Sequence, residues 1–381
     1  METVKFSDVV TRANTKEDRF NTDKIYYVGG EHVDSNEMKI EKRGIIAGST
    51  IGPMFYCGFK SGDILFVTRN PHLRKCGVVE FDGICSEKTF VLETKNRDIL
   101  LQEYLAIVMQ SDDFWNYCEE NKSGGVNYFI NWSTLAEYEF YLPPLAEQKV
   151  LAEKLWAAYE VKQSYLKMIA ATEEMVKAQF VEMFGSCERT KPLEEFIETS
   201  FPGEWGLEDQ NGNGVKVIRT TNFTNVGKLN LTDVVTRNIE PTKVEKKKLK
   251  KGDIILERSG GTNENPVGRV VYFDEDGLFL FNNFTQMLRC VEGVNSIFIF
   301  YSLYNYYQTN KDIIRSMGNK TTGIQNLKMD KYWQIPISDV SIELQNKFTS
   351  IYNQADKSIS ELRKSVDAID KVIKSLINEN L

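Results

Sequence analysis

Two stretches far apart in the chain read as the same element. Phe59-Lys60-Ser61-Gly62-Asp63-Ile64-Leu65-Phe66 and Leu249-Lys250-Lys251-Gly252-Asp253-Ile254-Ile255-Leu256 each set a Gly-Asp turn before a run of β-prone apolar residues. The repetition continues along the chain. Cys76-Gly77-Val78-Val79 is echoed by Val267-Gly268-Arg269-Val270-Val271, the helical run 99–118 by 297–314, and Ser123-Gly124-Gly125 by Thr321-Thr322-Gly323. The exit strand ending Tyr141-Leu142-Pro143 is matched to Trp333-Gln334-Ile335-Pro336, and Leu145-Ala146-Glu147-Gln148 to Ile342-Glu343-Leu344-Gln345. The offset stays near 190–200 residues throughout, the mark of a tandem duplication. Whatever this chain folds into is built twice.

Each copy runs out into a long stretch without helix breakers. Pro143-Pro144 suit the end of one segment and the first turn of a helix. No glycine follows until Gly185 and no proline until Pro192. At 1.5 Å per residue the roughly 40 residues between make a rod of about 60 Å, where an ordinary globular helix has about 11–12 residues. Near the C-terminus Phe348, Tyr352, Ala355, Ile359, Leu362, Val366, Ile369, Ile373 and Leu376 step by alternating four and three, a coiled-coil seam. The first run supplies Leu151, Leu155, Ala158, Tyr165, Ile169, Thr172, Val176 and Met183, with Lys162 interrupting. Either seam alone leaves an apolar stripe in water. Burying each large apolar side chain is worth roughly 1.5–3 kcal/mol, so the two helices are expected to pair, antiparallel, each leading out of a globule. The expected fold is mixed α/β. Two repeated domains, 1–143 and 188–336, are separated by long helices at 144–187 and 337–381.

Composition excludes several classes. The longest apolar runs fall short of a bilayer span, and Met1-Glu2-Thr3-Val4-Lys5-Phe6 is not a signal peptide. Six scattered cysteines (Cys57, Cys76, Cys85, Cys118, Cys187 and Cys290) lack paired spacing, which predicts a reducing cytoplasm and small core hydrophobes rather than disulfides. With only His32 and His72, a histidine-rich metal site is excluded. A net charge of −7 leans against nucleic acid, although phosphate binding depends on a local basic face. Gly212-Asn213-Gly214 reads as a turn rather than a cofactor loop, and no phosphate-cradling Gly-Lys-Ser/Thr occurs. Asp82 with Glu93-Thr94-Lys95 is the one nuclease-like arrangement, and Leu288-Arg289-Cys290-Val291 in the second copy does not preserve it.

Leu142-Pro143-Pro144-Leu145-Ala146-Glu147-Gln148 resembles the opening of the central conserved helix in specificity subunits of type I restriction–modification systems. Gly62-Asp63-Ile64-Leu65 and Thr68-Arg69-Asn70-Pro71-His72-Leu73-Arg74-Lys75-Cys76-Gly77 resemble that family's target-recognition domains. The resemblance covers essentially the whole chain. It departs at Pro336-Ile337-Ser338-Asp339, which lacks the double proline. It implies that each globule reads one half of a split double-stranded DNA target and that the helices fix the gap. Two methylation subunits carrying S-adenosylmethionine would dock on the scaffold, the outer helix face around Trp156 and Tyr159 being offered to them. Restriction subunits using ATP and Mg would join, and this chain would bind no cofactor and hold no catalytic centre. Other readings are a stand-alone DNA-binding regulator, a subunit of another phage-defence complex, a metal-dependent nuclease on Asp82, Glu93 and Lys95, or a coiled-coil scaffold.

Sequence-specific DNA contact needs Arg or Lys for phosphate and guanine, and Asn or Gln for adenine, on loops that can enter a groove. In the first copy Arg69, Asn70, His72, Arg74 and Lys75 crowd one strand end, and Lys122, Ser123, Asn127 and Asn131 surround the glycine loop. The second copy offers Arg258, Ser259, Thr262, Asn263 and Asn265, then Lys320, Thr321, Thr322, Gln325 and Asn326. Arg219-Thr220-Thr221-Asn222 makes a further polar turn after a strand. Any one of these is an ordinary solvated side chain when taken alone. Their recurrence at matching places in both copies points to DNA. The run Lys243, Lys246, Lys247, Lys248, Lys250 and Lys251 divides evenly between a solvated face and a phosphate contact. Because the loops differ between copies, the target is expected to be asymmetric.

Overall fold

A computed structural model describes residues 3–262, 264–321 and 324–380. They form two compact units, Met1–Ile169 with Glu361–Leu381, and Ala170–Ser360.

In the first unit Ile64–Val67 lies inside a five-stranded sheet ordered Val10–Ala13, Thr89–Thr94, Ile64–Val67, Cys76–Val79, Lys39–Ile40. All four of its residues are buried, so it reads as a continuous apolar run. Alternation sends them to opposite faces. Ile64 and Phe66 join Phe6, Tyr104, Phe114 and Trp115, while Leu65 and Val67 join Val28, Phe59 and Val91. A second sheet is ordered Gly44–Ile45, Tyr26–Val28, Gly83–Ser86, Phe55–Phe59.

The second unit repeats the plan. Its main sheet is ordered Ile197–Pro202, Thr285–Cys290, Ile254–Glu257, Val270–Tyr272, and Val215–Ile218 runs parallel to Phe279–Phe281 as Tyr26–Val28 does to Gly83–Ser86. The Gly-Asp turns agree bond for bond. The Asp63 carboxylate accepts the Lys60 N–H at 2.7 Å and Asp253 that of Lys250 at 2.7 Å. Gly62 and Gly252 both take positive φ, +95° and +94°.

Pairing register corrects two of the sequence matches. Ile64 faces Val78 and Ile254 faces Tyr272, so Cys76 corresponds to Val270 rather than to the Val267-Gly268 step. The exit strands are Glu139–Tyr141 and Pro336–Ser338, so Pro143-Pro144 corresponds to Val340-Ser341 and not to Pro336. The connections lengthen in the second copy, and shared glycine and proline residues disguise the drift. The single helical run expected at 99–118 is two helices, Gln102–Val108 and Asp112–Glu120. Ser111 divides them: its hydroxyl donates to the Val108 carbonyl at 2.8 Å and caps the next helix by accepting the Phe114 N–H at 3.1 Å.

The long helices are Leu145–Phe184, of 40 residues, and Ile342–Asn380, of 39. In the first unit Leu155 and Tyr159 pack with Ile373 and Ile377, and Lys162 bonds Asp370 at 2.9 Å. In the second unit Phe180 and Phe184 pack on Phe348, with ring centroids 5.1 and 5.8 Å away. Numbers rise on one helix as they fall on the other, so the pair is antiparallel. Lys162 does not break the seam; it is buried between Glu37, at 3.0 Å, and Asp370. Tyr159 is not on an outer face. It is buried with its hydroxyl on Glu37 at 3.0 Å, and Trp156 donates its Nε1–H to the Glu103 carbonyl at 3.2 Å. The apolar side chains this helix does expose are Val150, Val161, Leu166, Met168, Met175 and Val181. Among the described residues no helix is long and apolar enough to cross a membrane.

Candidate nucleic-acid interface

The two loops picked out in the first copy form one patch. Arg69 and Ser123 both bridge to Phe129, and the Asn70 N–H donates to the Tyr128 carbonyl at 2.9 Å. The turn Pro71–Leu73 is bracketed by Asn70 and Arg74 in the left-handed region, φ +51° and +50°. Asn tolerates that conformation; Arg does so at a cost. Arg74 is held there by Asp112 at 2.5 Å, and the arginine keeps that carboxyl below its usual range. At the loop tip Gly124 has φ +98°, and a Cβ there would stand 2.5 Å from the Asn127 carbonyl oxygen, so the turn requires glycine.

The side chains divide into two groups. Arg69, His72 and Asn127 are exposed, and no hydrogen bond or ion pair engages their side chains among the described residues. Others are engaged within the fold. Lys75 donates to the Gly30 carbonyl at 2.6 Å, Lys122 pairs with Glu119 at 2.7 Å over the Tyr128 ring, and Ser123 accepts from Asn131 at 3.5 Å.

The second unit builds the same patch as a three-stranded sheet, Ser259–Gly260, Ile324–Leu327 and Gly318–Thr321. Ser259 pairs with Asn326, and Gln325 pairs with both Gly260 and Lys320. The Ser259 hydroxyl is buried and donates to Asn326 at 2.6 Å. Arg258 and Gln325 are half-buried, and Thr262 is exposed with its hydroxyl accepting the Asn265 N–H at 3.0 Å. Thr321 closes its strand opposite Ile324; Asn263, Thr322 and Gly323 lie outside the described residues. The turn at 219–222 serves the fold. Arg219 bonds Asp233 at 3.0 Å, and buried Asn222 accepts the Arg219 N–H and donates to the Asn230 and Asp233 carbonyls. Thr220 is half-buried beside it and Thr221 is exposed.

Sequence reasoning missed a brace common to both patches. The carbonyls of Lys75 and Arg269 accept the N–H of Val67 and Glu257, at 3.0 and 2.8 Å. Their side chains then reach the same place: Lys75 to the Gly30 carbonyl, and Arg269 to the Thr220 carbonyl at 3.4 Å. In the second unit buried Glu257 clamps Arg269 at 2.7 and 3.0 Å and holds its charge more firmly still. The signal, a basic residue directly before the strand in Lys75-Cys76 and Arg269-Val270, was hidden by aligning the glycines.

The lysine run is largely laid down on acidic partners. Lys243 and Lys247 grip Glu204 at 3.1 and 3.0 Å, Lys248 pairs with Glu245, and Lys251 reaches Asp276 at 3.0 Å. Lys246 and Lys250 stay exposed. Two of the three nuclease-like residues, Asp82 and Lys95, are bound into local contacts, and Glu93 is exposed. Asp82 takes Lys24 at 3.2 Å and the Ser61 N–H at 3.0 Å, while Lys95 donates to the Ser7 carbonyl at 2.6 Å. Among the described residues no group of three or more His, Cys, Asp or Glu is placed to hold a metal ion.

Fold and patches define a duplicated α/β recognition protein built around paired long helices. Residues 1–164 match the family model of the type I restriction modification DNA specificity domain. Among solved structures the chain is similar to the S subunit of a type I restriction–modification system from M. genitalium. Identity there is 14% and TM-score 0.58, with 99% of this chain and 94% of that one covered. It is also similar to a chain from a structure of the complex assembly and conformational transition of a type I R-M system, at 18% identity and TM-score 0.54, covering 99% and 96%. At such identities the likeness concerns the fold. No curated protein matches the chain. Residues 1–164 therefore carry the DNA specificity domain of type I restriction–modification systems, and the chain as a whole shares the fold of those S-subunit structures.

Proposed function

We propose that the chain reads an asymmetric, two-part DNA target, with 1–143 and 188–336 as reading domains and the helices at 144–187 and 337–381 setting the spacer. One observation carries this reading. The same patch is built twice on the same brace, yet it presents Arg69, His72 and Asn127 in one copy and Arg258, Thr262 and Gln325 in the other. A common scaffold with different polar side chains suits two different half-sites. Two methylation subunits, bringing S-adenosylmethionine, dock on the helices, where Val150, Val161, Met168 and Met175 are exposed. Restriction subunits bring ATP and Mg, and this chain contributes no catalytic group.

The spacer reading has a direct test. Seven residues are removed from the first helix between Lys162 and Phe180, and seven from the second between Phe348 and Asp370, which preserves both seams. The rod shortens by about 10 Å, or about three base pairs. Selection from a library of spacer lengths, with methylation subunits present, should recover a shorter gap. Recovery of the original gap refutes the ruler.

A further inference from the structure

Cys57 and Cys85 stand directly opposite one another on the antiparallel strands Phe55–Phe59 and Gly83–Ser86. Opposed Cα atoms in such a ladder lie about 4.5–5.5 Å apart, inside the span of about 4.4–6.8 Å that a disulfide bridges. The ladder is irregular between Phe55 and Cys57, the kind of step that twists a strand and re-aims its side chains. Cys85 is fully buried and Cys57 half-buried. The Cys85 thiol points to the Thr89 carbonyl at 4.0 Å, the outer reach of a sulfur hydrogen bond, and also interacts with the Cys57 sulfur. Arg12 and Lys16 supply positive charge beside Cys57, and Lys16 bridges to its backbone; Glu87 opposes them.

We propose that this pair is a peroxide-oxidisable site, with Cys57 the attacked sulfur and Cys85 the resolving one. The Cys57 thiolate takes an oxygen from hydrogen peroxide, breaking the O–O bond and releasing hydroxide, and becomes a sulfenic acid. The Cys85 sulfur then attacks that sulfur. An S–S bond forms, the S–O bond breaks, and the leaving oxygen departs as water with the Cys85 proton. In sum two thiols and one peroxide give one disulfide and two waters, the sulfurs being oxidised and the peroxide reduced. Thiolates rather than thiols react, and a sensor cysteine characteristically has a resolving partner beside it. The hydrogen bond from Cys85 brings the Cys57 thiol down to about 7 against burial and Glu87, with help from Arg12 and Lys16. The hydrogen bond to Cys57, then burial, push the Cys85 thiol up as well, and burial pushes Cys118 and Cys290 up to about 12 and Cys76 higher. Cys57 is therefore the sulfur peroxide attacks, and Cys85 gives up its proton only as it closes on the sulfenic acid.

The test uses the reduced full chain, exposed to hydrogen peroxide at pH 7, alkylated at intervals with N-ethylmaleimide and mapped by mass spectrometry. A Cys57–Cys85 cross-linked peptide, lighter by two hydrogens, should appear about tenfold faster than half-buried Cys187 is lost, and dithiothreitol should remove it. In Cys85→Ser, dimedone should trap a sulfenic acid at Cys57. Loss of Cys57 no faster than Cys187, oxidation of Cys57 without the cross-link, or pairing with another cysteine overturns the proposal. The peptide map of the unsubstituted chain decides this even where the serine variant does not fold.

Discussion

Gln148 and Gln345 make the same bond at the foot of the two long helices. Each side-chain oxygen accepts, at 3.0 Å, the N–H of the residue that caps the neighbouring helix, Leu101 before Gln102–Val108 and Asn295 before Ser296–Thr309. Each amide nitrogen donates back to the segment that feeds its own helix, to Pro143 at 2.8 Å and Val340 at 3.1 Å, and Gln148 adds Ile99 at 2.9 Å. Both side chains are buried, at 0% and 3% exposure. The orphan N–H of a helix start is thereby satisfied from a second helix, which ties the foot of each long helix to its own unit.

Gln148→Glu tests that joint without changing its shape. The carboxylate keeps the Leu101 N–H but faces the Ile99 and Pro143 carbonyls with no proton to offer. A loss of about 2–3 kcal/mol is expected at pH 7. Repulsion and burial raise the folded-state pKa of the new carboxyl above its unfolded value, so the folded form binds the extra proton and stability returns as pH falls. Gln345→Glu should cost less, since it faces one carbonyl. Thermal midpoints across pH settle it; a Gln148→Glu variant as stable as the original at neutral pH contradicts the account.

The duplicated turns predict a stabilising change. In the second unit Asp253 is neutralised by Arg289 at 2.7 and 2.6 Å. Register places Glu93 at the corresponding position of the first unit, since Ile64 faces Leu92 as Ile254 faces Leu288. There burial, and then Glu93, push the Asp63 carboxyl up. Glu93→Arg should replace a repulsion with the ion pair of the sister copy and raise stability by about 0.5–1.5 kcal/mol. The sign in pH is also fixed. The original chain holds more protons folded than unfolded just above the ordinary aspartate range, so its stability rises on acidification through that window. The variant should lose that rise. An unchanged or lower melting temperature at pH 7 refutes the equivalence.

Lys162 is the one cation buried in the described part of the helix seam, tied to Glu37 and Asp370 and flanked by the Tyr159 hydroxyl on Glu37. Burial pulls its pKa down, but Asp370 and Glu37 outweigh burial and raise it above the ordinary lysine value. Lys162→Met leaves two carboxylates without their cation, at a cost of about 1–2 kcal/mol because both are partly exposed. Adding Glu37→Gln and Asp370→Asn should recover most of it. Failure of the triple variant to recover shows that Lys162 packs rather than pairs.

The duplication, the two long helices and their seams were legible because each rests on local pattern: a Gly-Asp turn, alternating apolar steps, a stretch without breakers. Register was not. The connection to the second strand lengthens between copies, so matching Gly77 to Gly268 looked right while the ladder sets Gly77 against Val271. The two candidate loops were legible as neighbours in the fold and less so as side chains. Arg74 and Lys75 look as available in sequence as Arg69, yet Asp112 and the Gly30 carbonyl engage them. Those partners lie 38 and 45 residues away along the chain, beyond any local pattern.

The last prediction follows from that division and concerns DNA. Arg69 is exposed with its guanidinium unengaged, whereas Lys75 holds the loop from beneath. If the first unit reads one half-site, Arg69→Ala should cost about 1–3 kcal/mol of binding when that half is intact. It should cost nothing further once that half is scrambled. A base contact would relax preference at a single position, while a phosphate contact would lower the salt dependence by about one ion and leave preference alone. Gln325→Ala in the second unit should show the mirror result, sensitive to the other half only. Binding by the assembled complex to targets scrambled one half at a time separates these outcomes. Equal loss from Arg69→Ala on both scrambled targets would end the two-reader assignment.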